Sequence, residues 1–64
     1  MKHRDLIREL ESLGFVKLRS GSRHDIYHDG ETAVQVPRHS GINEITAASI
    51  LKKALVSKRP GRLS

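Results

Sequence analysis

Four of the 64 residues are histidines, at positions 3, 24, 28 and 39. Histidine is the one side chain whose ordinary pKa, about 6.5, lets it take up and release protons near neutrality. His24 differs from the others in its setting, because it follows Gly21-Ser22-Arg23. The glycine permits close approach of a backbone, the serine offers a hydroxyl, and the arginine brings a planar cation suited to phosphate. RNA carries its own nucleophile in the 2′-hydroxyl. Its cleavage therefore needs only proton transfer and stabilisation of a crowded phosphate, which a histidine beside an arginine can supply without a metal. The plainer reading is a rim histidine satisfied by a backbone carbonyl, and residue type and spacing alone favour it.

Other chemistries fare worse. With no cysteine in the chain, thiolate nucleophiles, disulfides, iron–sulfur clusters and cysteine-based zinc sites are excluded. His24 and His28 are four apart, which would align them on a helix. On a strand it separates them by about 13 Å, too far to share a metal ion. The acidic residues fall in helix and turn positions, so no carboxylate pair is placed for acid–base work. No phosphate-cradling glycine loop and no Ser-His-Asp order is present. His3 and His28 read as ordinary surface residues. His39 lies in a loop after Pro37-Arg38 and could meet a phosphate or a base, although loop histidines are common.

The elements that position these residues follow from periodicity. Leu6, Ile7, Leu10 and Leu13 form the stripe of an amphipathic helix, and Gly14 stands where a glycine ends one. Phe15–Arg19 alternates as a strand, Ser20-Gly21-Ser22 is a turn, and 23–28 reads as a second strand. Asp29-Gly30 signals a two-residue hairpin into a third strand, Glu31–Val36, which Pro37 stops. Asn43 is a good N-cap for a second helix, with Ile42 and Ala47 placed as a hydrophobic staple. Ala47, Ile50, Leu51, Ala54 and Leu55 form its buried stripe.

The expected fold is α+β, an α-β-β-β-α chain like the double-stranded-RNA-binding domain, with a three-stranded antiparallel sheet and both helices on one face. Val16, Leu18, Ile26, Val34 and Val36 are expected to line that face. Lys17, Arg19, Arg23, Asp25, Tyr27, Ala33 and Gln35 would occupy the other. Three strands with one apolar face need such a cover.

Composition sets the limits. A chain of 64 residues, 36% of them apolar and only two aromatic, makes one domain with a thin core and no room for a large enclosed cofactor. No apolar run approaches the roughly 20 residues that cross a bilayer, and the start of the chain does not read as a secretory signal. Six basic and six acidic residues cancel in 1–32. Residues 33–64 carry six basic against one acidic, so that half supplies the whole net charge of +5. A surface of that sign attracts phosphate backbones, although basic residues also collect at helix C-termini and in solvated tails. The expected division is a folded domain over 1–57 and a basic tail over 58–64.

The order and spacing of Leu13-Gly14-Phe15, Gly21-Ser22-Arg23-His24, Val34-Gln35-Val36-Pro37-Arg38-His39 and Ile42-Asn43-Glu44-Ile45-Thr46 resemble the HicA toxins of HicAB toxin–antitoxin modules. The resemblance spans roughly residues 2–55. It implies a small cytoplasmic endoribonuclease that cleaves mRNA and halts translation until a HicB-like antitoxin covers it. The family's glycine and catalytic histidine fall on Gly21 and His24. Its members often carry a second histidine beside the catalytic one, where this chain has Arg23 and Asp25 instead.

The expectations are thus His24 as catalytic residue, with Gly21, Ser22, Arg23, Lys17, Arg19 and Arg38 contacting RNA, and neither metal nor cofactor. The readings from other classes are a non-catalytic RNA-binding module and a protein–protein adaptor that docks through its tail.

Overall fold

The computed structural model describes residues 1–56; the basic tail expected over 58–64 lies outside the described residues. The elements run α1 (His3–Ser12), β1 (Val16–Ser20), β2 (His24–His28), β3 (Ala33–Pro37) and α2 (Glu44–Val56). The three strands form one antiparallel sheet in the order β1-β2-β3. This is the α+β arrangement expected from periodicity.

Local chemistry accounts for the element ends. Gly14 adopts φ +90°. The N–H of Phe15 bonds the Leu10 carbonyl and that of Gly14 the Glu11 carbonyl, each at 3.0 Å, which is the paired closure of a Schellman motif. The same motif brings Phe15 onto Leu10, and both are wholly buried. At α2 the Asn43 side-chain oxygen accepts the Ile45 N–H at 2.7 Å, and Ile42 and Ala47 are buried together as a staple. Between β2 and β3 the Asp29 carboxylate accepts the N–H groups of Glu31 and Thr32. This makes a four-residue loop, with His28 paired to Ala33, where two residues were expected.

The face assignments need correction. Tyr27 pairs with Val34 and Asp25 with Val36, so Tyr27 and Asp25 lie on the helix-covered face and are buried. Ile26 pairs with Gln35 and belongs to the outer face. The reason is parity: a hairpin loop with an even number of residues sets odd positions of one strand opposite even positions of the next.

Val16 and Leu18, also expected inside, are 58% and 53% exposed. The helices build their core with β2 and β3, where α2 packs on β3 and α1 on α2. Edge strand β1 is left exposed along its length. On α2, Leu55 is exposed rather than part of the buried stripe. The core consists of Leu6, Leu10, Phe15, Tyr27, Val34, Val36, Ile42, Ala47, Ile50 and Ala54.

One irregularity matters for the site. Lys17 pairs with Tyr27, but Arg19 pairs with Ile26, so Leu18 is the extra residue of a β-bulge. Strict alternation would have kept Lys17 and Arg19 on one face. The bulge separates them, and Arg19 joins the outer face that carries His24 and Ile26.

Candidate functional site

His24 begins β2 at the end of a tight turn. The Gly21 N–H donates to the His24 carbonyl at 2.8 Å, which closes the turn over Ser22 and Arg23. A Cβ on Gly21 would stand 2.9 Å from that same carbonyl oxygen, closer than nonbonded carbon and backbone oxygen can sit. Glycine is therefore required for close approach, as its place in the sequence suggested. The turn and the β2–β3 ladder together fix the His24 backbone on the outer face.

The His24 side chain is exposed. It lies in a depression lined by Arg19, Ser20, Gly21, Ser22, Arg23, His24, Ile26 and Gln35. Among the described residues, no carboxylate lines this depression. Among the described residues, no salt bridge engages Arg19 or Arg23, and the imidazole has no hydrogen bond or ion pair. The site thus has an imidazole and two unneutralised guanidinium groups open to solvent, an arrangement that suits an anionic ligand. Of the residues expected to contact RNA, Gly21, Ser22, Arg23 and Arg19 are brought together with His24.

Arg38 and Lys17 are placed differently, and Asp25 explains both. Asp25 follows His24 in β2 and points to the other side of the sheet, where it is only 5% exposed. Arg38 donates from Nε to its Oδ1 at 3.0 Å, and the Lys17 ammonium stands 3.8 Å from Oδ2. Burial pushes the Asp25 pKa up. The hydrogen bonds from Arg38 and Ser20, with the charges of Arg38 and Lys17, outweigh burial and hold the carboxyl below its usual value. Lys17 is therefore directed to Asp25 on the face away from His24. Arg38 is anchored by Nε alone and half exposed. It lines a neighbouring depression with Ser22, Arg23 and His39. The Arg38 N–H also bonds the Arg23 carbonyl at 3.3 Å, tying the loop after β3 to the His24 turn.

Asp25 is the residue whose positioning role sequence reasoning missed. Its signal was there in the parity of the hairpin, which turns it toward the core, where a carboxylate needs cationic partners. Gln35 and Ile26 complete the depression through their cross-strand pairing. Among the described residues no group of three His, Cys, Asp or Glu side chains is gathered to hold a metal ion. No helix there is long and apolar enough to cross a membrane.

No curated protein and no solved structure matches the chain. The family model described as the HicA toxin of bacterial toxin-antitoxin matches residues 3–56, which takes in every element of the fold and the whole of the His24 depression. On that match the chain belongs to the HicA toxin family and is a toxin of a toxin–antitoxin module.

Proposed function

We propose that this toxin is an endoribonuclease that cleaves mRNA at the His24 depression and so arrests translation in the cytoplasm. The observation that carries the reading is the exposed His24 imidazole among Arg19 and Arg23, with no partner for the ring and no carboxylate to neutralise the cations among the described residues. In the reaction, the 2′-hydroxyl of a bound nucleotide attacks the adjacent phosphorus as His24 handles a proton. The bond to the 5′-oxygen breaks, that oxygen takes a proton, and a 2′,3′-cyclic phosphate and a 5′-hydroxyl result. Arg23 and Arg19 balance the charge that builds on the phosphoryl oxygens. Ser22 and the Gly21 backbone shape the pocket floor, and Arg38 holds a flanking phosphate. Lys17 serves Asp25 and has no direct part.

A HicB-like antitoxin would inhibit most simply by covering His24. Its addition to the purified toxin is expected to suppress cleavage at near-stoichiometric amounts.

The test is incubation of labelled RNA, in excess chelator, with wild type and His24→Ala. General acid–base catalysis contributes about 10²–10⁴-fold. A loss of that size in the variant, with cleavage by wild type unaffected by chelator, supports the assignment. Equal cleavage by both proteins, or equal growth arrest when both are expressed, removes His24 from the mechanism. RNA retained but left intact by the wild type would indicate a binding module without catalysis.

A further inference from the structure

Three depressions on this surface share their walls. Ser22 and Arg23 line both the His24 depression and the one containing Arg38 and His39. Arg38 in turn lines a third, which is the largest of them and is bounded by Lys2, His3, Arg4, Ser40 and Gly41. The three depressions are thus linked in series through shared lining residues, from His24 by way of Arg23 and Arg38 to the start of α1. Among the described residues, every charged side chain lining them is basic.

The third cleft is firmly built. Lys2 bridges to Gly41, the His3 N–H bonds the Ser40 carbonyl at 2.9 Å, and the Ile42 N–H bonds the Met1 carbonyl at 2.7 Å. The segment before α1 and the loop after β3 thus hold each other in place. Lys2 and Arg4 are exposed, and no salt bridge engages either among the described residues. The Lys2 side chain makes no capping hydrogen bond to the helix. His3 leaves its Nε2 buried without a hydrogen-bond partner among the described residues, a polar atom whose environment is incomplete. Arg38 uses only Nε toward Asp25, and no hydrogen bond or ion pair engages its two terminal nitrogens among the described residues.

We propose that the cleft of Lys2, His3 and Arg4 is a second RNA subsite, holding backbone phosphates of the same strand whose scissile bond lies at His24, with Arg38 as the bridge between them. The inference rests on the ribonuclease reading above and extends it: the substrate is a strand several nucleotides long, held at two places, rather than a single dinucleotide step. Phosphate is favoured because every charged side chain in the lining is cationic and no carboxylate joins them among the described residues. Contacts of this type position a strand without reading its sequence.

The experiment uses His24→Ala protein, expected to bind RNA without cutting it, with and without Lys2→Ala and Arg4→Ala together. Fluorescein-labelled RNAs of three and ten nucleotides are titrated by anisotropy at several salt concentrations. Each single-strand phosphate contact contributes about 0.7 to the slope of log K against log salt. Loss of two contacts should lower the slope by about 1.4 and weaken ten-nucleotide binding on the order of twentyfold at 0.1 M salt. The three-nucleotide RNA should bind the two proteins alike. An unchanged slope for the long RNA overturns the proposal, as does equal weakening of the short one in protein that melts normally. If the double change instead weakens only the complex with the antitoxin, the cleft is a protein contact and the proposal also falls. The parent reading fails separately, when wild-type protein neither cuts nor binds RNA of either length.

Discussion

Replacing Gly21 with alanine puts a Cβ 2.9 Å from the His24 carbonyl oxygen, a backbone atom that cannot swing aside. Either the turn opens or the start of β2 shifts, and the 2.8 Å hydrogen bond from the Gly21 N–H is strained with it. Overpacking of this kind costs roughly 1–3 kcal/mol. A domain of 64 residues has a total stability of only about 3–10 kcal/mol. The melting temperature should therefore fall by roughly 4–20 °C. Gly41 is the internal control, because an alanine Cβ there meets nothing within 4 Å and its φ is not positive. Gly41→Ala should melt with or slightly above wild type, by up to about 1 kcal/mol, through its effect on the unfolded chain. Gly41 lines the proposed second RNA cleft, so it serves as the control for melting alone, and cleavage by Gly21→Ala is compared with wild type at a temperature where both remain folded. Displacing His24 by a fraction of an ångström is expected to cost Gly21→Ala at least ~10-fold in kcat, since a 1 Å misplacement can cost about 10²-fold. Thermal melts of the two variants, with cleavage by Gly21→Ala measured against wild type, settle the matter. A Gly21→Ala protein that melts and cleaves like wild type would refute the argument that the turn sets His24.

Asp25 makes the molecule sensitive to acid. Its carboxyl is held below the ordinary 3.8 in the folded state, so the unfolded chain binds more protons at low pH, and the stability it contributes is lost as pH falls from about 4 downward. Asp25→Asn should lower stability at neutral pH and flatten that acid limb in urea melts, and an unchanged limb would assign the effect to other carboxyls. Tyr27 acts at the other extreme. Burial first, then the charges of Asp25 and Glu11, raise its phenol above 10.0, so its contribution is complete below that value and lost as pH rises through the folded pKa. Tyr27→Phe should remove the corresponding alkaline decline, read by melting between pH 9 and 11. In the core, Leu10 is wholly buried, and Leu10→Ala should cost about 2–5 kcal/mol and leave much of the protein unfolded at 37 °C by circular dichroism. Ile45, 78% exposed, should tolerate alanine within about 0.5 kcal/mol.

Local signals were enough for the element order and for several of their ends. The spacing of Leu6 and Leu10, Gly14 as helix terminator and Asn43 as cap each act through neighbours within a turn or two, so their consequences can be read along the chain. The same holds for the His24 turn, where Gly21 and the residue three places on meet through a single hydrogen bond. What failed was the choice of sheet face. Asp25 and Tyr27 were expected outside and are inside, and Ile26 the reverse. That error lay within reach, because even-numbered hairpin loops fix the parity. The inward carboxylate found partners in Arg38, Ser20 and Lys17 that hydrophobic alternation alone would not assign.

The sequence by itself determined which residues could exchange protons or hold phosphate, and which segments were helix or strand, because residue type and short-range spacing carry that information. Only the tertiary structure decided which of those cations share a surface with His24. The bulge at Leu18 moves Arg19 to the His24 face and leaves Lys17 on the other. The buried Asp25 anchors Arg38 by one nitrogen, and the pairing of Lys2 with Gly41 brings the start of α1 beside the loop after β3, so that a second basic cleft also has Arg38 in its wall. Each of these depends on a contact between residues distant in the chain or on one extra residue in a ladder, and neither leaves a periodic trace.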